Sequence, residues 1–260
     1  MRRFFAVTLF HVLLSHFLFA QTKLCTFNPE ENLKYSLYYS LGIVSIPAGE
    51  ILFSSSKRTF NNHPVFFIEV SGRSLKSYEL FYSMHENIRT YAEPETLNPI
   101  MCELKMVQKG KEYFENIRFE GVRKKIYIEN KDDNKPFKID SCQMKNNTFD
   151  FLTAFYYIRS HNLSTSKYGE VIPVKIISGT EIHSINVKIM CRENLCLPES
   201  GNIKALKVAV GTIPGDIFKK GDEIIIWLSD DDKHIPLQFE SKVLIGSVKA
   251  IILSNLEFSN

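Results

Sequence analysis

The run 223–253, EIIIWLSDDDKHIPLQFESKVLIGSVKAIIL, constrains this chain more than any other stretch. Residues 224–228 are apolar and mostly β-branched, residues 229–234 are polar, and Ile235, Leu237 and Phe239 then alternate with Gln238 and Glu240. A period of two bounded by turn residues marks strand, turn, strand. Residues 248–253 form a third run after the Gly246-Ser247 break. The segment therefore predicts an antiparallel meander carrying the chain's only tryptophan, Trp227.

The same period recurs along the chain. Leu33, Tyr35, Leu37, Tyr39 and Leu41 alternate with Lys34, Ser36, Tyr38 and Ser40, and Pro47-Ala48-Gly49 breaks the chain before Ile51 and Phe53 resume the pattern. Further strands are expected at 65–70, 87–92, 100–107, 113–119, 126–129, 171–177, 180–190 and 205–210, most joined by turns of hairpin length. The stretch 80–85 reads as either a short helix or an irregular strand. Residues 130–147, rich in Lys, Asp and Asn, read as an exposed loop with at most a ragged strand.

One helix interrupts this series. Asn147 or Thr148 can cap it, Asp150 falls in its first turn, and Phe151, Leu152, Phe155, Tyr156 and Ile158 recur at helical spacing before Arg159 and His161. Charges at the two ends suit the helix dipole, so Asp150 and Arg159 read as structural. A short aromatic helix among about twelve strands is expected to plug one face or end of the sheet. The fold expected is all-β: an antiparallel, strongly curved sheet or partial barrel with one short packed helix. No internal repeat or low-complexity linker divides residues 21–260, which predicts a single domain.

Residues 1–20 are set apart from that domain. Arg2 and Arg3 precede a mostly apolar run ending at Leu18-Phe19-Ala20, the pattern of a cleaved secretory signal. His11, Ser15 and His16 interrupt a run already short for the ~30 Å of a bilayer core. Thr22-Lys23-Leu24 before Cys25 is not the small-residue pattern of a lipid-attachment site. The remaining chain has no second long apolar run, and acidic and basic residues nearly balance once the leader's arginines are set aside. Nucleic acid is accordingly not an expected partner.

All five cysteines follow the leader, where disulfides can form. Cys191 and Cys196 bracket a polar insert and are the preferred bridged pair; an odd count leaves at least one thiol unpaired. Cys102 shares a strand face with Ile100, Leu104 and Met106, so a buried thiol is expected there.

Candidate sites are sparse. Asp230, Asp231 and Asp232 are candidate Ca²⁺ ligands, yet they lack the spacing of a calcium loop, and Asp in a turn ordinarily caps backbone amides. The histidines show no zinc-ligand spacing, no Gly-x-Ser-x-Gly elbow occurs, and no glycine pattern cradles phosphate. No catalytic residue, metal or cofactor is assigned. Twenty Phe and eleven Tyr make a cavity lined by aromatic residues conceivable, with Trp227, Tyr156 and Tyr157 as candidate ligand contacts.

Three motifs resemble the bacterial domain-of-unknown-function 3108 family. They are Glu31-Asn32-Leu33-Lys34-Tyr35 with Pro47-Ala48-Gly49-Glu50, the helix from Phe149 to Arg159, and Trp227-Leu228-Ser229-Asp230-Asp231 through Ile235-Pro236 to Gly246-Ser247. The resemblance implies an exported Gram-negative protein of YmcC-like fold and no established activity; the insert 191–201 looks longer than the turn it implies. The functional expectation is a periplasmic or outer-membrane-associated module that binds a lipid, a glycan or an envelope protein without turnover. The alternatives are a hydrolase using carboxylates from 230–232 and a structural component of envelope assembly.

Overall fold

The computed structural model describes residues 29–79, 83–133, 135–215 and 218–253. The expected leader, residues 1–20, and Cys25 lie outside these residues, as do residues 80–82 of the ambiguous stretch.

Among the described residues fifteen strands form one sheet, which corrects the expected count of about twelve. The first meander runs through β1 (Glu31–Leu41), β2 (Val44–Phe60), β3 (His63–Ser74), β4 (Met84–Ala92), β5 (Pro99–Gln108), β6 (Lys111–Glu120), β7 (Lys125–Asp132) and β8 (Lys135–Gln143). A two-residue strand β9 (Thr148–Phe149) leads into the helix α1 (Phe151–Arg159). The second meander comprises β10 (Val171–Ser178), β11 (Glu181–Leu197), β12 (Gly201–Gly211), β13 (Glu223–Ser229), β14 (Pro236–Lys242) and β15 (Ser247–Ile252).

The two meanders join where β1 pairs with β15, Tyr35 opposite Ile252 and Tyr39 opposite Val248. The first and last strands, β1 and β15, thus lie side by side in the middle of the sheet. Every ladder is antiparallel except β9 on β10, the crossover that α1 makes possible. No ladder joins β8 to β9 among the described residues, so the sheet is open.

Local chemistry sets the hairpins. Asn61 and Asn62 both take positive φ, as a two-residue hairpin turn requires. Gly49 sits where a Cβ would come 2.5 Å from the Arg73 carbonyl oxygen, so β2 and β3 approach only because this residue has no side chain. β8 replaces most of the expected loop at 130–147. As an edge strand it leaves Phe137 and Ile139 in solvent, and that exposure obscured its pattern in a lysine-rich sequence.

The helix packs between two groups of strands. Leu152 and Tyr156 meet Phe66 and Ile68 of β3 and Leu97, while Ala154 and Ile158 meet Val174, Val187, Val208 and Ile226 of β10–β13. Beyond the helix, Ile177 of β10 joins Cys102, Ile117, Ile126 and Ile128 of β5–β7. The two wings of the sheet therefore meet through side chains, without a closing ladder.

Candidate functional site: an apolar cavity opposite a buried ion pair

Two polar anchors fix the ends of α1. At its start, the Asp150 carboxylate accepts from the Leu152 and Thr153 amides, at 2.9 and 3.2 Å, and from the Thr153 and Thr90 hydroxyls, at 2.7 and 3.0 Å. Complete burial outweighs these donors and pushes the carboxyl pKa up. The bond from Thr90 ties the helix to β4.

At its end, Arg159 donates to both Glu31 oxygens, at 2.9 and 2.7 Å, and to the carbonyls of His234 and Lys233. Tyr156 donates to Glu31 as well, at 3.3 Å, and burial pushes its phenol up to about 12. Tyr35, burial holding its pKa well above normal, donates to the Pro236 carbonyl at 2.6 Å. A bidentate buried pair with its remaining positions satisfied is a fixed structural joint. It clamps β1, the helix and the β13–β14 turn.

The other end of the same strands is different. Along β1 the inward series runs from Glu31 at the joint to Leu37 and Tyr39; along β4 it runs from Thr90 at the helix to Ile88, Glu86 and Met84. Leu37, Ile51, Val70, Met84, Ile88 and Val248 there enclose a cavity of about 620 Å³ whose rim includes Tyr39, Tyr78, Leu244 and Ile245. Gly72 lies on its wall between Ile51 and Glu86 in the neighbouring strands, and a Cβ on it would meet nothing within 4 Å. The cavity volume falls in the range of small-molecule sites.

Glu86 is an acid set among these apolar residues; Glu50, Arg73 and Ser74 also line the cavity, Glu50 and Arg73 paired with each other at 2.7 Å. Glu86 makes no hydrogen bond or ion pair among the described residues, and desolvation raises its pKa. Glu115 of β6 faces the same way, two strands over, where it accepts from the Tyr113 hydroxyl at 3.1 Å and burial again raises its pKa.

A family profile described as "Protein of unknown function (DUF3108)" matches residues 34–252. The chain belongs to this family. No curated protein matches it. Among solved structures it is similar to the beta-barrel-like protein of domain of unknown function DUF1849 from Brucella abortus, with a TM-score of 0.58 at 8% identity. The likeness covers 88% of this chain and 98% of that one and shows the fold alone.

In this DUF3108 chain the three sequence motifs converge on the buried joint. Glu31 and Tyr35 come from the first, Tyr156 and Arg159 from the helix, and His234 and Pro236 from the turn region of the third. The Asp cluster belongs to that turn too. Asp231 accepts from the Ser229 hydroxyl and the Lys233 and His234 amides, and Asp230 pairs with Arg192 at 3.1 Å. Asp232 is exposed. The described residues contain no group of three or more His, Cys, Asp or Glu arranged to hold a metal ion.

None of the three aromatic candidates lines the cavity. Tyr156 is fully buried in the joint, and Tyr157 stacks on Phe149 at 4.6 Å. Trp227 donates to Glu193 at 2.6 Å beneath Lys207, on the side of β13 away from Ile226 and Leu228. Cys191 and Cys196 are free and exposed rather than bridged. β11 runs straight through both, which separates them by roughly 16 Å, far beyond disulfide reach. The expected insert is the long end of the β11–β12 hairpin.

The residues that build the cavity were not singled out from the sequence. A signal existed in Glu86, which shares the inward register with Ile88, Thr90 and Ala92. A charged residue on the apolar face of a strand marks either a buried partner or a cavity.

Proposed function

We propose that the protein is an exported, periplasmic or outer-membrane-associated module that binds an amphipathic ligand without chemical turnover, its apolar portion held in the cavity beside Gly72. In this reading the sheet curves as a partial barrel around the helix at one end and the ligand at the other. The cavity itself carries the proposal: its wall is mostly apolar, it reaches the surface, and an open position faces Gly72. An acyl chain suits it better than a glycan, because each methylene leaving water contributes about 0.8 kcal/mol and few donors line the wall.

A hydrolase needs paired groups at the reacting bond. Asp230 and Asp231 are committed to Arg192 and to the turn, Glu115 is held by Tyr113, and Glu50, the other acid lining the cavity, is paired with Arg73 and Lys34, which leaves Glu86 as the uncommitted acid among these. Binding is therefore favoured over catalysis.

Titration with a fluorescent long-chain fatty acid tests this. Saturable binding is expected for the wild type and its loss for Gly72→Leu, with circular dichroism and thermal midpoint retained. Absence of wild-type binding, or undiminished binding by the variant, would overturn the reading. Native mass spectrometry of protein purified gently from its envelope would identify the ligand retained.

A further inference from the structure

The cavity opens among exposed apolar side chains. The β1–β2 tip presents Leu41, Ile43, Val44 and Ile46, and the β14–β15 turn presents Leu244 and Ile245; Ile43 is fully exposed and Ile245 69% exposed. The two tips are held together. Tyr39 donates to the Ile245 carbonyl at 2.9 Å, and Ser40 lies opposite Ser247. Gly246, at φ +81°, leaves no room for a Cβ against the Ser40 carbonyl, so the turn is seated firmly on β1.

No charged residue occurs in 41–47 or 243–247, and Lys242 borders the second tip. Leu244 and Ile245 also line the cavity, so the apolar surface continues from its wall onto the exposed tips. Contiguous exposed apolar groups mark an interaction surface.

We propose that these two tips dock the protein on a lipid surface, placing the cavity mouth against the bilayer. Each tip is a hairpin turn, and Ile43 projects fully exposed from the first. A second protein copy would have to offer matching hollows, whereas acyl chains accommodate convex apolar groups of any outline. The uncharged sequence of both tips permits burial at the boundary between headgroups and chains. Docking extends the ligand reading above by naming a lipid surface as the source of the ligand, and the two are read by separate measurements.

The test is co-sedimentation of the purified protein with vesicles of phosphatidylethanolamine and phosphatidylglycerol, at low and high salt. Wild-type protein is expected in the pellet at both, because apolar insertion is not screened. The variant carrying Ile43→Ser and Val44→Ser, two exposed tip residues that do not line the cavity, is expected to partition about tenfold more weakly. Its fatty-acid binding in vesicle-free solution should persist. Wild-type protein left in the supernatant, or a variant that sediments like the wild type, would overturn docking. Dimerisation abolished by the same substitutions, without vesicle binding, would overturn it in favour of a second copy. If wild-type protein fails to bind the fatty acid, the ligand reading falls and the vesicle result decides docking by itself.

Discussion

Glu31 and Arg159, 128 residues apart in sequence, meet as a bidentate ion pair that is 6% and 1% exposed. Burial works against the arginine's charge, and Glu31 more than restores it, so the guanidinium pKa lies above its ordinary value. The pair ties together the first strand, the helix and the β13–β14 turn, three segments distant in sequence.

Removing one partner strands a buried charge. Arg159→Met is expected to destabilise by about 3–5 kcal/mol, and adding Glu31→Leu should recover a substantial part. Urea denaturation of the two single variants and the double variant gives the coupling. Additive losses would show that the joint does not act as a pair.

The joint also shows how far the sequence could be read. Asp150 and Arg159 were recognisable as end charges of a helix because helical spacing is local, although the cap is Asp150 itself and not Asn147 or Thr148, which precede the helix as a turn residue and part of β9. The partners of these end charges, Thr90 and Glu31, were not, since nothing in the alternation of β1 or β4 says which inward residue meets the helix. The meanders were legible from apolar periodicity and turns. β8 was not, because an edge strand with Phe137 and Ile139 in solvent has no buried face to impose the pattern. The cavity was invisible for a related reason: Gly72 gives no signal until its neighbours in β2 and β4 are known.

His234 predicts acid sensitivity at the joint. Its Nδ1 lies 3.0 Å from the Arg159 carbonyl, which can only accept, so that nitrogen carries a proton. Burial lowers the ring pKa below 6.5; the Arg159 charge acts in the same direction, while Asp231 and Asp232 oppose it. Below about pH 6.5 the unfolded chain binds more protons than the folded one, so this group's contribution to stability falls as the medium is acidified. His234→Asn keeps an amide donor and suits the positive φ of 46°. Urea titrations at pH 7.5 and 5.5 should show a smaller acid loss for the variant than for the wild type; an equal loss would clear His234 of the effect.

Glu86 predicts the opposite sign. Desolvation raises its pKa above 4.5, so the folded state retains a proton that the unfolded chain has released. Its contribution to stability is full below pH 4.5 and declines as pH rises through the folded value. Glu86→Gln should therefore gain stability relative to the wild type as pH rises through that window. Denaturation midpoints at pH 4 and pH 8 check it: a gain confined to pH 8 is expected, and an equal shift at both would mean that ionisation is not responsible.

Two glycines on neighbouring strands should respond in opposite ways. At Gly49 a Cβ would meet the Arg73 carbonyl oxygen at 2.5 Å, and backbone cannot yield as a flexible side chain can. Gly49→Ala is thus expected to force β2 from β3 and cost about 1–3 kcal/mol. At Gly72 the corresponding space is empty and no positive φ is imposed, so Gly72→Leu should change stability by less than about 1 kcal/mol while the new side chain occupies the cavity. Thermal melts of both variants, with fatty-acid titration of the second, separate the two roles. A Gly72→Leu protein that melts like the wild type and no longer binds would mean that the cavity serves a ligand and not the fold. If it loses stability as Gly49→Ala does, the space opposite Gly72 is filled by the protein itself and the proposed site is absent.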